Sequence, residues 1–189
     1  RIAGVTHYEA ESVSAASFDH ETPAGDDRLL VVVAVYKDTA GVASLVFGSS
    51  GTGDAEFQAP YGIAVSADGY IYVADFDNVC VQKFDPSGSF VTKWGSTGTG
   101  DGEFYSVQGI AVAPDGSIYV SDSDLDRIQK FDANGAFITK WGSSGKGDGQ
   151  FELPTGIAVG PDGSVYVAEG NDRIQKFDAN GAFITKWGS

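Results

Sequence analysis

Carboxylates recur along this chain in short runs, and they are the side chains with the most scope for chemistry. Asp75, Asp77 and Asn78 form one run, Asp122, Asp124 and Asp126 a second, and Glu169, Asn171 and Asp172 a third; Asp54, Asp101 and Asp148 each sit in a glycine-rich stretch. Hard cations such as calcium take roughly six to eight oxygen ligands, which alternating carboxylates among flexible glycines can supply. The alternation Asp122-Ser-Asp-Leu-Asp126 is the candidate calcium site, although it lacks the glycine and distal glutamate of an EF-hand loop. The competing reading is a set of solvated carboxylates that bond nearby backbone amides and shape turns. No other cofactor is expected.

Nucleophilic and phosphate chemistry find less support. A serine triad needs a histidine beside the serine, and the two histidines, His7 and His20, both lie near the N-terminus. Cys80 is alone, which excludes an internal disulfide or a cysteine metal cluster. The Gly-Thr-Gly-Asp stretches are followed neither by Lys-Ser/Thr nor by a helical pattern, so they are not phosphate cradles. A formal charge of -14 repels phosphate backbones and anionic headgroups, and favours cations and basic partners instead. The longest apolar run, Leu29 to Tyr36, is far short of a membrane-spanning helix, so membrane insertion is not expected. The chain starts at Arg1 and has no methionine, which reads as a removed leader or a segment of something longer. Few cysteines, many small polar residues and the acidic balance fit an extracellular or cell-surface location, which is expected ahead of a cytoplasmic one that the same features also fit.

The elements that must position these carboxylates come from an internal repeat. The pairs Phe47-Gly48, Trp94-Gly95, Trp141-Gly142 and Trp187-Gly188 are spaced by 47, 47 and 46 residues. Gly-Ile-Ala-Val starting at Gly62, Gly109 and Gly156 keeps the same step, as do the Asp-Gly turns at Asp68, Asp115 and Asp162. Each copy reads as four short strands. In the first, Ile63 to Ser66 turns at Asp68-Gly69 into an alternating strand from Tyr70 to Ala74. A polar loop then leads to Val79 to Phe84, and the turn at Asp85-Pro86-Ser87-Gly88 returns through Phe90 to Trp94. Four antiparallel strands per unit of this length predict an all-β fold of propeller blades, three of them complete. The glycines before Ile63, Ile110 and Ile157 suit inner strands crowded near the propeller axis.

Pro-Tyr-Gly-Ile-Ala-Val, Asp-Gly-Tyr-Ile-Tyr-Val-Ala-Asp, Val-Gln-Lys-Phe-Asp and the closing Lys-Trp-Gly resemble the NHL repeat family over residues 47–189. The resemblance implies a propeller, usually of six blades, that acts as a binding platform. A few relatives are lyases with histidine and metal at the channel, and the repeats here have no histidine. The family's third-strand arginine is matched by Arg127 and Arg173, whereas the first copy has Cys80. These arginines are expected to pair with acidic neighbours between blades, Trp94, Trp141 and Trp187 to seal adjacent blades, and Lys83, Lys130 and Lys176 to be solvated. Residues 1–46 form a separate N-terminal β segment: Leu29 to Lys37 and Val42 to Phe47 read as a hairpin across Asp38 to Gly41 and could be the outer half of a degenerate blade. Residues 18–47 bear a weaker likeness to part of a jelly-roll surface domain.

Three blades cannot close a ring, so a second chain or further repeats must complete it. Strand direction places the loops between second and third strands on the same face as the loops that join blades. That face would carry Asp54, Asp75, Asp77, Asp101, Asp122, Asp124, Asp126, Asp148, Glu169 and Asp172, and is therefore acidic. The expected function is a non-catalytic scaffold that binds a protein, glycan or cation, with a homo-oligomer as the expected assembly. The alternatives are a self-assembling filament or surface-layer protein and a carboxylate-metal enzyme of the lyase or lactonase type.

Overall fold

The computed structural model describes residues 16–18, 32–38 and 41–188, and all regular elements among them are strands. The first three are β1 (Ala16–Phe18), β2 (Val32–Asp38) and β3 (Gly41–Phe47), in one antiparallel sheet of order β1-β2-β3. Asp38 stands opposite Gly41, so β2 and β3 form the expected hairpin. Two-residue strands β4 (Ser49–Ser50) and β5 (Glu56–Phe57) then pair in parallel. His7, His20 and half of the segment with the jelly-roll likeness, residues 19–31 and 39–40, lie outside the described residues.

Three four-stranded antiparallel sheets follow, each with its strands in chain order. The first blade holds β6 (Pro60–Val65), β7 (Ile71–Asp75), β8 (Cys80–Phe84) and β9 (Phe90–Trp94). The second holds β10 (Val107–Val112), β11 (Ile118–Asp122), β12 (Arg127–Phe131) and β13 (Phe137–Trp141). The third holds β14 (Pro154–Val159), β15 (Val165–Glu169), β16 (Arg173–Phe177) and β17 (Phe183–Gly188). The reversals are the ones the sequence asks for: Gly69, at φ 87°, and Gly88, at φ 84°, occupy left-handed backbone that glycine adopts without a Cβ clash. At the second reversal Asp85 Oδ1 accepts the amides of Ser87 and Ser89 at 2.8 and 2.9 Å, which fixes the turn through its own side chain. Register slips once between the first and second strands of every blade and once between the third and fourth, and such bulges increase strand twist.

Burial shows how the sheets stack. Every residue of β7, β8, β11 and β12 is buried, so the middle strands of the first two blades are covered on both faces. In β15 and β16 burial alternates, because one face of the third blade has no neighbour. The apolar cores accordingly lie between blades. Tyr72, Ala74 and Val81 pack with Phe104, Ile110, Ile118, Val120 and Phe131 across the first interface, and Tyr119 and Ile128 pack with Phe151, Val165, Val167 and Phe177 across the second. Each buried phenylalanine contributes about 1.5–3 kcal/mol.

β3 ends where the outer strand of a preceding blade would. Phe47 packs on Phe84 with ring centroids 4.6 Å apart, repeating Trp94 on Phe131 at 5.9 Å and Trp141 on Phe177 at 5.8 Å. The parallel pairing of β4 with β5 recurs as the bridges Thr97 to Phe104 and Ser144 to Phe151. The N-terminal sheet is thus linked to the first blade as each blade is linked to the next.

The inner strands approach most closely at one glycine per blade. A Cβ on Gly62 would overlap the Gln108 carbonyl, and one on Gly109 the Thr155 carbonyl, whereas one on Gly156 would meet only the Ala168 Cβ at 3.4 Å. Gly109→Ala should therefore cost about 1–3 kcal/mol by overpacking, and Gly156→Ala should stay within roughly 0.5 kcal/mol of the parent. Urea denaturation of the two variants checks the contrast.

Candidate binding surface

The loops that enter each blade are built around one side chain. Glu56 Oε2 accepts the amide of Gly53 at 2.8 Å, Glu103 Oε2 that of Gly100 at 2.7 Å, and Gln150 Oε1 that of Gly147 at 2.9 Å. A Cβ at Gly51, Gly98 or Gly145 would crowd the end of that same side chain and push it off this bond. A buried glutamine on the third strand then clamps the loop to the sheet. Gln129 accepts the amide of Gly102 at 3.0 Å and donates to the Glu103 carbonyl at 2.7 Å; Gln82 and Gln175 repeat both bonds. The period singles out this glutamine only as part of the repeated Gln-Lys-Phe; its clamp depends on a loop some 26 residues earlier in the chain.

The arginines hold the same loops. Arg127 donates from Nε to Asp122 at 3.2 Å and from its two terminal nitrogens to the Thr99 and Glu103 carbonyls at 2.8 and 2.6 Å. Arg173 reaches Glu169 at 3.0 Å and the Lys146 and Gln150 carbonyls at 2.6 and 2.8 Å. The acidic partner lies in the arginine's own blade, which corrects the expectation of pairing between blades. Where Cys80 replaces the arginine, Asn78 bonds both Asp75 and the Gly51 carbonyl, at 2.6 and 2.9 Å. Burial pushes the Cys80 thiol up to about 11, with the Asp75 charge adding to it, so the thiol stays protonated and unreactive at neutral pH.

The predicted acidic face divides into three groups. Asp75, Asp122 and Glu169 are buried, a correction to their assignment as surface ligands: their oxygens are taken up by backbone amides and by Asn78, Arg127 or Arg173. Burial raises the carboxyl pKa of Asp75 and Asp122, and the amides that bond them work in the opposite direction. Asp54, Asp101 and Asp148 are exposed but paired with the outer-strand lysines Lys93, Lys140 and Lys186 at 2.9, 2.8 and 2.7 Å. Asp77, Asp124 and Asp172 are exposed on the loops between second and third strands; Asp126 is half-buried there and accepts the Leu153 amide at 2.9 Å. Asp122, Asp124 and Asp126 do not converge, since Asp122 turns inward and Asp126 toward the third blade. Among the described residues no three His, Cys, Asp or Glu side chains are grouped so as to hold a metal ion.

The periodic lysines are also not where solvated residues would be. Lys83 and Tyr72 both donate to the Ala133 carbonyl on the next blade, at 2.7 and 3.3 Å, and Lys130 and Tyr119 donate to the Ala179 carbonyl at 3.1 and 3.0 Å. Lys83 and Lys130 are buried, whereas Lys176, on the uncovered third blade, is not. The tryptophans seal the blades as expected: the Trp94 indole lies on Gly135, where a Cβ would come within 2.5 Å, and Trp141 lies on Gly181 in the same way. On the loop face itself, Tyr61, Tyr105 and Leu153 are large apolar side chains left exposed, Tyr61 beside Phe76 with ring centroids 5.6 Å apart.

Stacked antiparallel blades joined by loops on one face define a β-propeller segment. Residues 51–134 match a family described as a 6-bladed beta-propeller. Rat E3 ubiquitin-protein ligase TRIM71 is 46% identical over 50 residues, which is 26% of this chain and 6% of that protein. Protein lin-41 of Caenorhabditis elegans is 47% identical over 49 residues, 26% of this chain and 4% of that protein. In a crystal structure of a nidogen/laminin complex, one chain superposes with a TM-score of 0.58 at 18% identity, over 84% of this chain and 57% of that chain. The chain thus spans a small part of the curated relatives it matches, and it shares its fold with the solved neighbour.

Two predictions follow from these contacts. Arg127→Met should cost about 3–5 kcal/mol, because it leaves the Asp122 carboxylate buried and unpaired; adding Asp122→Asn should recover part of that loss in the same denaturation assay. Asp132 and Asp178 are held below the usual carboxylate range by the amides of Ala136 and Ala182 and then of Asn134 and Asn180. An acid whose folded pKa is depressed stabilises the fold above its unfolded pKa, near 4, and that stabilisation is lost as pH falls through the folded value. Melting curves stepped down from about pH 5 should show this loss, and Asp132→Asn with Asp178→Asn should flatten it.

Proposed function

We propose that this segment is a non-catalytic protein-binding scaffold whose contact surface is the inner part of the loop face. One observation carries the reading: on that face the outer carboxylates Asp54, Asp101 and Asp148 are each matched by a lysine, while Asp77, Asp124 and Asp172 have no ion pair among the described residues. The unmatched charge lies on the same face as the exposed Tyr61, Tyr105 and Leu153. Negative charge interleaved with apolar surface suits a protein segment that carries lysine or arginine beside apolar side chains, since charge steers the encounter and apolar burial holds it. A protein partner fits this mixture better than a glycan, and an extracellular location rests on composition.

A peptide array that varies charge and apolar content tests the proposal. Basic-apolar peptides should be retained over acidic ones, with retention that weakens as salt rises. Replacing Asp77, Asp124 and Asp172 together by lysine should weaken that retention by about tenfold or more, roughly 1.4 kcal/mol, whereas Asp54→Lys should change it little. Equal retention of acidic and basic peptides, or an unaffected triple variant, would sink the reading.

A further inference from the structure

We infer that the aromatic pair of Tyr61 and Phe76 is the seat for an arginine side chain of a protein partner, with Asp77 as its counter-charge. This rests on the protein-binding reading of the loop face and narrows it to one contact. Neither ring belongs to the repeat: the place of Tyr61 is taken by Gln108 and Thr155 in the later blades, and that of Phe76 by Ser123 and Gly170. Ser123 is buried and donates to the Pro154 carbonyl of the third blade at 3.0 Å, so the second blade turns this position inward. The first blade instead sets two rings together on the loop face, centroids 5.6 Å apart and planes at 42°, with Tyr61 62% exposed.

Both rings are carried on fixed backbone. Pro60 stands opposite Asp75 and Gly62 opposite Ala74, so Tyr61 is the extra residue of a bulge, a device that re-aims a side chain out of the regular ladder. The Phe76 amide donates to the Ala59 carbonyl at 2.8 Å and the Phe76 carbonyl accepts the Val79 amide at 3.2 Å, which ties this turn to the chain entering β6. A ligand stacking here has little backbone to order. Elsewhere the chain lays its own cations on tyrosines: Lys83 lies over Tyr70 and Tyr72, Lys130 over Tyr119 and Lys176 over Tyr166, 4.4 to 5.5 Å from the centroids. No lysine or arginine among the described residues lies over Tyr61 or Phe76. Asp77, the residue after Phe76, is exposed and has no ion pair among the described residues, so the charge beside the rings favours a cationic occupant. Arginine suits this exposed pair better than lysine. An ammonium holds its water strongly, whereas a guanidinium is weakly hydrated, stacks flat on a ring and keeps its N–H edge for a carboxylate.

The test titrates the chain with N-acetyl-arginine amide and, separately, with N-acetyl-lysine amide, and reads the ring-proton shifts of Tyr61 by NMR, assigned through Tyr61→Leu. The two probes carry the same charge, so the attraction of an acidic protein for any cation cancels between them. The arginine amide should shift the Tyr61 signals saturably and bind about threefold more tightly than the lysine amide. Phe76→Leu, which keeps an apolar side chain in the turn, should remove that preference. Asp77→Asn should weaken the arginine titration, whereas Asp54→Asn, at a carboxylate already paired with Lys93, should leave it unchanged. Tyr105, 47% exposed, has no ring beside it among the described residues and should respond alike to both probes. Equal affinities of the two amides at Tyr61, or a preference that survives Phe76→Leu, overturn the arginine seat even where the peptide array retains basic peptides over acidic ones. An array without that retention overturns the seat together with the reading beneath it.

Discussion

Lateral contact between twisted sheets is the interaction on which this molecule depends. A single blade here has almost no interior: its middle strands are thin layers whose two faces both carry apolar side chains, and Tyr72 and Val81 of the first blade are buried together with Phe104 and Phe131 of the second across the gap between them. Repeat architectures share this property, in that stability comes from interfaces between units more than from the units themselves. The details of the repeat follow from it. Glycine is needed where inner strands meet, a tyrosine and a lysine where an outer turn must be fastened, and an indole where the rim would otherwise admit water.

Much of this was legible from spacing. The period, the four strands in each unit, the glycine at the inner strand, the sealing tryptophans and the hairpin across Asp38 to Gly41 all follow from local patterns that a strand or turn imposes on its own residues. What the period could not convey was the partner of a polar side chain. Lys83 and Lys130 look like solvent-facing strand residues because lysine at an alternating position usually is, yet each ends on a carbonyl about 50 residues further along. Gln129 was visible only as a repeated letter and Arg127 only as half of an ion pair, and the bonds both make to the entering loop depend on that loop folding back over the sheet.

The carboxylates illustrate the same limit. In the sequence Asp122, Asp124 and Asp126 form one alternating motif, and alternation along a strand would place all three on one side. The chain instead leaves the strand at Asp122 and enters left-handed backbone at Asp126, φ 47°, so the three side chains point to different fates. Asp172 and Val79 occupy the equivalent position at φ 60° and 51°. A branched side chain is costly in that conformation, and together with Cys80 it marks the first blade as the one furthest from the shared pattern.

The fastening between blades has a direction. At both filled interfaces the lysine and tyrosine donors belong to the earlier blade and the acceptor carbonyl to the later one, so the two faces of a blade present different groups. Two donor faces, or two acceptor faces, cannot fasten to each other, and only head-to-tail order satisfies both sides.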